Sequence, residues 1–166
     1  MHIVTSSVFN HSFVKVLTPA SQSVLLRTWL SVIIAVWISR GRPAINIKNF
    51  YDCTPPHPQP PTLFTVTPDA EAVDPNNLNP NPWISIVQTT LQHPNEHFPK
   101  FQRTLALYAA WYDTTEQGNW KATENGLEGI ELLDGTLFVR VAYLTANRLG
   151  WVREGQPKGE WDYNVF

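Results

Sequence analysis

LQHPNEHFPKFQRTLALYAAWY, residues 91–112, carries two of the five histidines, with Pro94 and Pro99 at its start and a helical pattern beyond. Wound at 100° per residue with His97 at zero, the run places Thr104, Tyr108, Trp111, Phe101 and Tyr112 within about 60° of His97. Lys100 falls about 60° to the other side, bordered by Leu107. Gln102, Arg103, Ala106, Ala109 and Ala110 take the opposite face. The pattern therefore predicts a helix on which a histidine and a lysine, one turn apart, point where the aromatics point. Lysine is rarely buried without a partner, so this pair needs an explanation. One explanation is packing alone: Lys100 reaches the surface over a packed stem, and His97 is a hydrogen-bonded core histidine. The other is a site, with His97 as a metal ligand and Lys100 as a charged or chemically modified partner. Pro99 costs a helix least in its first turn, which places the regular start near Phe98.

A chain of 166 residues is long enough for one domain with its own core. Its net charge of −2, without a Lys/Arg cluster, argues against a nucleic-acid surface. Cys53, the single cysteine, excludes an internal disulfide and fits a reducing compartment. Residues 1–10 lack the basic and long apolar regions of a secretory leader. The expectation is a cytoplasmic protein; the sequence fixes no oligomeric state. Seven tryptophans, eight phenylalanines and five tyrosines could fill a core or line a pocket for a flat ligand.

His2 to Leu17 reads as a first helix with His2, Phe9, Phe13, Val16, Leu17 and Thr5 on one face and His11 and Lys15 on the other. His2 is thus expected to face an apolar interior. Thr18-Pro19 has the chemistry of a helix start, and a second helix runs from Ala20 to about Arg40, stopping at Gly41. It is apolar almost all round from Trp29 to Ile38. Its length and its interruptions at Arg27, Thr28 and Ser31 favour a buried helix over a membrane span. Burial on several sides exceeds what a small domain offers, which suggests a chain that is part of something larger. Ile45 to Tyr51 adds a short helix or an extended piece.

Thr54 to Pro82 is a proline-rich linker: it holds nine of the fourteen prolines, too many for a core-forming segment. His57 within it has no assigned role. Pro82 opens a helix to Gln92, broken by His93-Pro94. His93 is either a second ligand beside His97 or a cap. Asp113 to Asn125 is a loop. Asp134 is expected to cap a helix from Gly135 to Arg148, with Leu137, Phe138, Val141, Leu144 and Thr145 as its apolar stripe and Gly150 as its stop. The tail beyond Gly150, with four aromatics, is expected to pack back on the body. The fold class is all-α: an irregular helical domain interrupted by the linker, expected as one region over 1–166. No phosphate loop, dinucleotide fingerprint, nucleophile elbow or HExxH motif occurs.

The runs HIVTSSVF, LTPASQSVLLRTWLSVIIAVWISRGRPAI, HPNEHFPKFQRTLA, ELLDGTLFVRVAYLTANRLGWVREG and EWDYNVF resemble the C-terminal part of questin oxidase-like proteins. These are fungal and bacterial oxygenases, the best known of which open the central ring of anthraquinones in polyketide pathways. Family members are longer, so the resemblance implies the C-terminal part of a larger helical oxidoreductase. It implies further an Fe(II) centre held by histidines and a CO₂-carboxylated lysine, with NADPH as a possible co-substrate. Carried onto this sequence, His97 and Lys100 in NEHFPK are an iron ligand and the modified lysine, and His2 in HIVT is another ligand. His93 is a weaker candidate. Asn95 stands where an acidic residue is expected. Trp37, Tyr108 and Trp111 are candidates to face a planar aromatic substrate. Neither nucleic acid nor membrane is expected as a partner. The reading of another class is a helical remnant or interaction module without catalysis.

Overall fold

A computed structural model describes residues 2–61, 81–120 and 126–161. The remainder of the linker, 62–80, the loop residues 121–125 and the closing residues 162–166 lie outside the described part. Six α-helices and two short 3-10 turns make up the described regular structure, with no strand among the described residues: α1 His2–Val16, α2 Pro19–Ser39, α3 Ile47–Cys53, α4 Pro82–Gln92, α5 His97–Tyr112 and α6 Leu137–Leu149. The 3-10 turns are Ile130–Leu132 and Val152–Glu154. The chain is all-α. It divides into two compact units, residues 2–45 and 46–161.

The first unit is α1 against α2. Thr18 caps α2 through its hydroxyl, which accepts from the Ser21 amide, and Pro19 occupies the first turn. Gln22 ties the two helices by donating to the carbonyls of Val14 and Leu17, at 2.8 and 3.0 Å. Gly41, at φ 76°, closes α2. Neither helix has a buried residue. His2 is exposed, and Phe9, Phe13 and Val16 around it are exposed too, so the apolar interior expected for His2 is not formed. The burial expected for α2 is overturned as well. Leu25, Trp29 and Ile33, four apart, are its half-buried row, while Val24, Leu30, Val32, Ile34 and Ile38 stand in the open. By length and composition alone, α2 is long and apolar enough to cross a membrane.

The second unit has a real core, because α4, α5 and α6 pack on one another. Ile86 from α4, Phe98 and Leu105 from α5, Ala142, Ala146 and Leu149 from α6, and Trp151 beyond it make that core. The buried row of α6 is Val139, Ala142, Ala146 and Leu149, not the expected stripe; Leu144 is exposed. Small alanines let α6 approach its neighbours closely, so its bulkier residues do not mark the packed face. On α5 the buried set is Phe98, Phe101, Gln102, Thr104, Leu105 and Ala109. Its centre is turned about 90° from His97 on a helical wheel. Gln102, expected outside, is buried because its side-chain amide donates to the Ala142 carbonyl at 2.9 Å.

A buried arginine joins α3 to α6. Arg140 donates to the Thr136 hydroxyl at 2.7 Å, to the Tyr51 carbonyl at 3.2 Å and to the Thr54 carbonyl. Its guanidinium lies 4.5 Å from the Tyr51 ring centre. Asp134 accepts from the Thr136 amide at 2.9 Å, so it caps the start of α6 as its chemistry suggests, although the helix proper begins at Leu137. Thr54 and Pro58 are buried, which means the linker begins as packed chain rather than as a free segment. The described part of the tail, to Trp161, folds back as expected: Trp151 is fully buried, and Trp161 meets Phe101 edge to face at 5.6 Å. Gly150, at φ 92°, allows the reversal; a side chain there would collide with the Pro157 carbonyl.

Candidate functional site

The break between α4 and α5 positions the residues singled out by sequence. After Gln92 the chain turns at His93-Pro94 and restarts at His97. Three hydrogen bonds build this corner in series. The His93 ring, buried, meets the Leu149 carbonyl through Nε2 at 3.0 Å. Its Nδ1 accepts from the Asn95 amide at 3.1 Å. The Asn95 side-chain oxygen accepts from the His97 amide at 3.0 Å. A carbonyl can only accept, so Nε2 carries the proton and Nδ1 the lone pair. Both ring nitrogens are committed, and no lone pair is left for a metal in this arrangement. His93 acts here as the cap that the sequence left as its alternative role.

Asn95 does in part what an N-cap does, satisfying one of the amides that the first turn of α5 leaves open. Glu96 follows on the outside. Its Oε1 stands 3.8 Å from His97 Nε2 and 3.8 Å from Lys100 Nζ. The structure therefore brings His97 and Lys100 together, but around a third side chain, the Glu96 carboxylate. The signal was present for the lysine: an acid four residues before Lys100 shares its side of the first turn. The lysine side chain is 60% exposed and that of Glu96 76% exposed, while His97 is 29% exposed. Lys100 thus lies at the surface beside a carboxylate, as the packing explanation had it, and the inward lysine is corrected. Such surface pairs contribute little to stability.

Further along α5 and α6 is an aromatic group. Tyr108 stacks on Phe138 at 5.5 Å, Tyr112 meets the same ring at 5.8 Å, and Trp111 packs edge-on to Tyr108 at 5.3 Å. Trp111 and Tyr112 keep exposed faces. Phe138 and Tyr112 join Tyr108 and Trp111 in a cluster that helical spacing on α5 alone could not complete. Trp37 belongs to the first unit, where its indole donates to the Pro43 carbonyl at 3.1 Å. His2 also belongs to that unit.

The family model described as Questin oxidase-like matches residues 1–105, which span α1 through the first half of α5 and include the NEHFPK block. The chain belongs to the questin oxidase-like family. Membership indicates an oxidase-type function. No curated protein and no solved structure matches the chain.

An iron centre is implied for this family by the resemblance, and the residues can be tested for it. Among the described residues, no group of three or more His, Cys, Asp or Glu is placed to hold a metal ion. His93 has no lone pair to give, and Lys100 lacks the apolar surroundings that favour the neutral amine CO₂ adds to. His97 and Glu96 have suitable donor atoms, yet two donors do not make a centre. The described residues by themselves do not fit a resident iron.

Proposed function

We propose that this chain is an oxidoreductase module of the questin oxidase-like type, acting on an anthraquinone or a related aromatic polyketide. The family match over residues 1–105 carries the proposal. The aromatic group on α5 and α6 supports it: the exposed faces of Trp111 and Tyr112 suit a planar apolar ligand laid against them, over Tyr108 and Phe138. His97, Glu96 and Lys100 lie at the opposite end of α5 and supply the polar, ionisable end of the same helix. Fe(II) and NADPH are co-reactants to be added in assays, since the described residues lack a complete ligand set. No step is assigned to either.

The test has two parts. Quenching of tryptophan fluorescence by an anthraquinone should saturate, and Trp111→Ala should weaken it at least about tenfold if that face stacks on the ligand. Oxygen uptake with Fe(II) and NADPH should then depend on the anthraquinone. Binding without uptake would leave an aromatic-binding module. Absence of both binding and uptake would overturn the proposal. The second reading, a helical module without turnover, is favoured by one observation: α1 and α2 have no buried residue.

A further inference from the structure

Glu154 closes the 3-10 turn that packs on α4. Its side chain is 10% exposed. One carboxylate oxygen, Oε1, meets the Arg153 guanidinium at 3.3 Å. The other, Oε2, is sealed from solvent with no hydrogen-bond partner among the described residues. Nothing in the proposed function uses this group.

The surroundings are polar but nearly uncharged. On α4, Ser85 and Thr89 are both buried, and the Arg153 amide donates to the Thr89 hydroxyl at 3.3 Å. From Pro82 to Gln92, α4 has no ionisable side chain. His93, at its end, has both ring nitrogens committed elsewhere. Beyond the turn, Lys158 and Glu160 are exposed. Arg153 is therefore the described charge that faces Glu154.

An ionised carboxylate wants partners on both oxygens, and burying one that lacks them is costly. A neutral carboxyl in the same place costs much less. We propose that Glu154 is a proton-operated latch: the turn Val152–Glu154 sits closed on α4 when the carboxyl is neutral and loosens when it ionises. The parts that would move are defined. The turn ends at Gly155, whose φ of 85° gives the chain a pivot, and the Trp151 amide bonds the Gln156 side chain at 3.0 Å across the base.

The direction of the pH effect follows from the carboxyl, which titrates above its ordinary value of 4.5; burial raises it most, against smaller lowering contributions from the Arg153 charge and from hydrogen bonds of the Thr89 hydroxyl and the Glu154 backbone to the carboxylate. Because the folded state holds this proton more tightly than the unfolded chain does, the stabilisation is complete below the ordinary value. It is lost as pH rises through the folded one.

The experiment compares the whole chain with Glu154→Gln, which keeps the shape and removes the charge. Amide-exchange protection of residues 151–156 is measured from pH 4 to 8 after correction for intrinsic exchange. Wild-type protection should fall about tenfold for every pH unit between the ordinary and folded carboxyl values, while the variant stays flat. Parallel profiles for the two proteins would overturn the latch. If the variant does not fold, direct carbon NMR titration of the Glu154 carboxyl in the wild type decides. A midpoint above the ordinary glutamate range supports the latch, and one within that range overturns it.

Discussion

Residues 2–45 and residues 46–161 are both helical and both rich in apolar side chains, yet only the second set buries them. In α2, leucines, isoleucines and valines face outward on almost every side. In α4, α5 and α6, by contrast, serine, threonines and a glutamine go inside while Leu91 and Leu144 stay out. Hydrophobicity alone does not make a core. A helix is buried when neighbours close round it and when the polar groups taken inside find partners, as Gln102 does on the Ala142 carbonyl.

Four substitutions can break or sharpen this contrast. Trp151→Ala should have the largest effect, about 4 kcal/mol lost in urea denaturation, because the ring is fully buried and leaves a large cavity. A loss below about 1 kcal/mol would show that the second unit's core is looser than its packing implies. Arg140→Met should cost about 3 kcal/mol in the same measurement, since it leaves the Tyr51 and Thr54 carbonyls without their donor. Asn95→Ala should cost about 1 kcal/mol and lower amide protection in the first turn of α5. Leu30→Ala, on the exposed side of α2, should change stability by less than about 0.5 kcal/mol. A Leu30→Ala effect as large as that of Trp151→Ala would mean that α2 is covered in solution, and the contrast between the units would collapse.

The helices were legible because their ends are written in local chemistry. Thr18-Pro19, Pro82, Gly41 and Gly150 each act within a few residues of the boundary they set. The packed faces were less legible, because a face is defined by neighbours distant in sequence. A wheel centred on His97 gathered the aromatics of α5, but the helix turns Phe98 and Leu105 inward instead. On α6, Ala142 and Ala146 carry the contact, and alanine gives a weak signal in any hydrophobic pattern. In the candidate site, the nearness of His97 and Lys100 could be read from their spacing. The commitment of both His93 nitrogens could not, since one partner is the Leu149 carbonyl, 56 residues away. Glu96 was readable too, since an acid four residues before Lys100 lies on its side of the helix.

The exposed surface of α2 also matters during synthesis. The helix ends at Ser39, and 166 − 39 = 127 residues of this chain follow it. At about 5–20 residues per second, about 6–25 seconds separate the making of α2 from the completion of the core-forming segments. For that interval a sticky, 21-residue helix is presented to a crowded cell. Its yield in expression will depend on what binds it first.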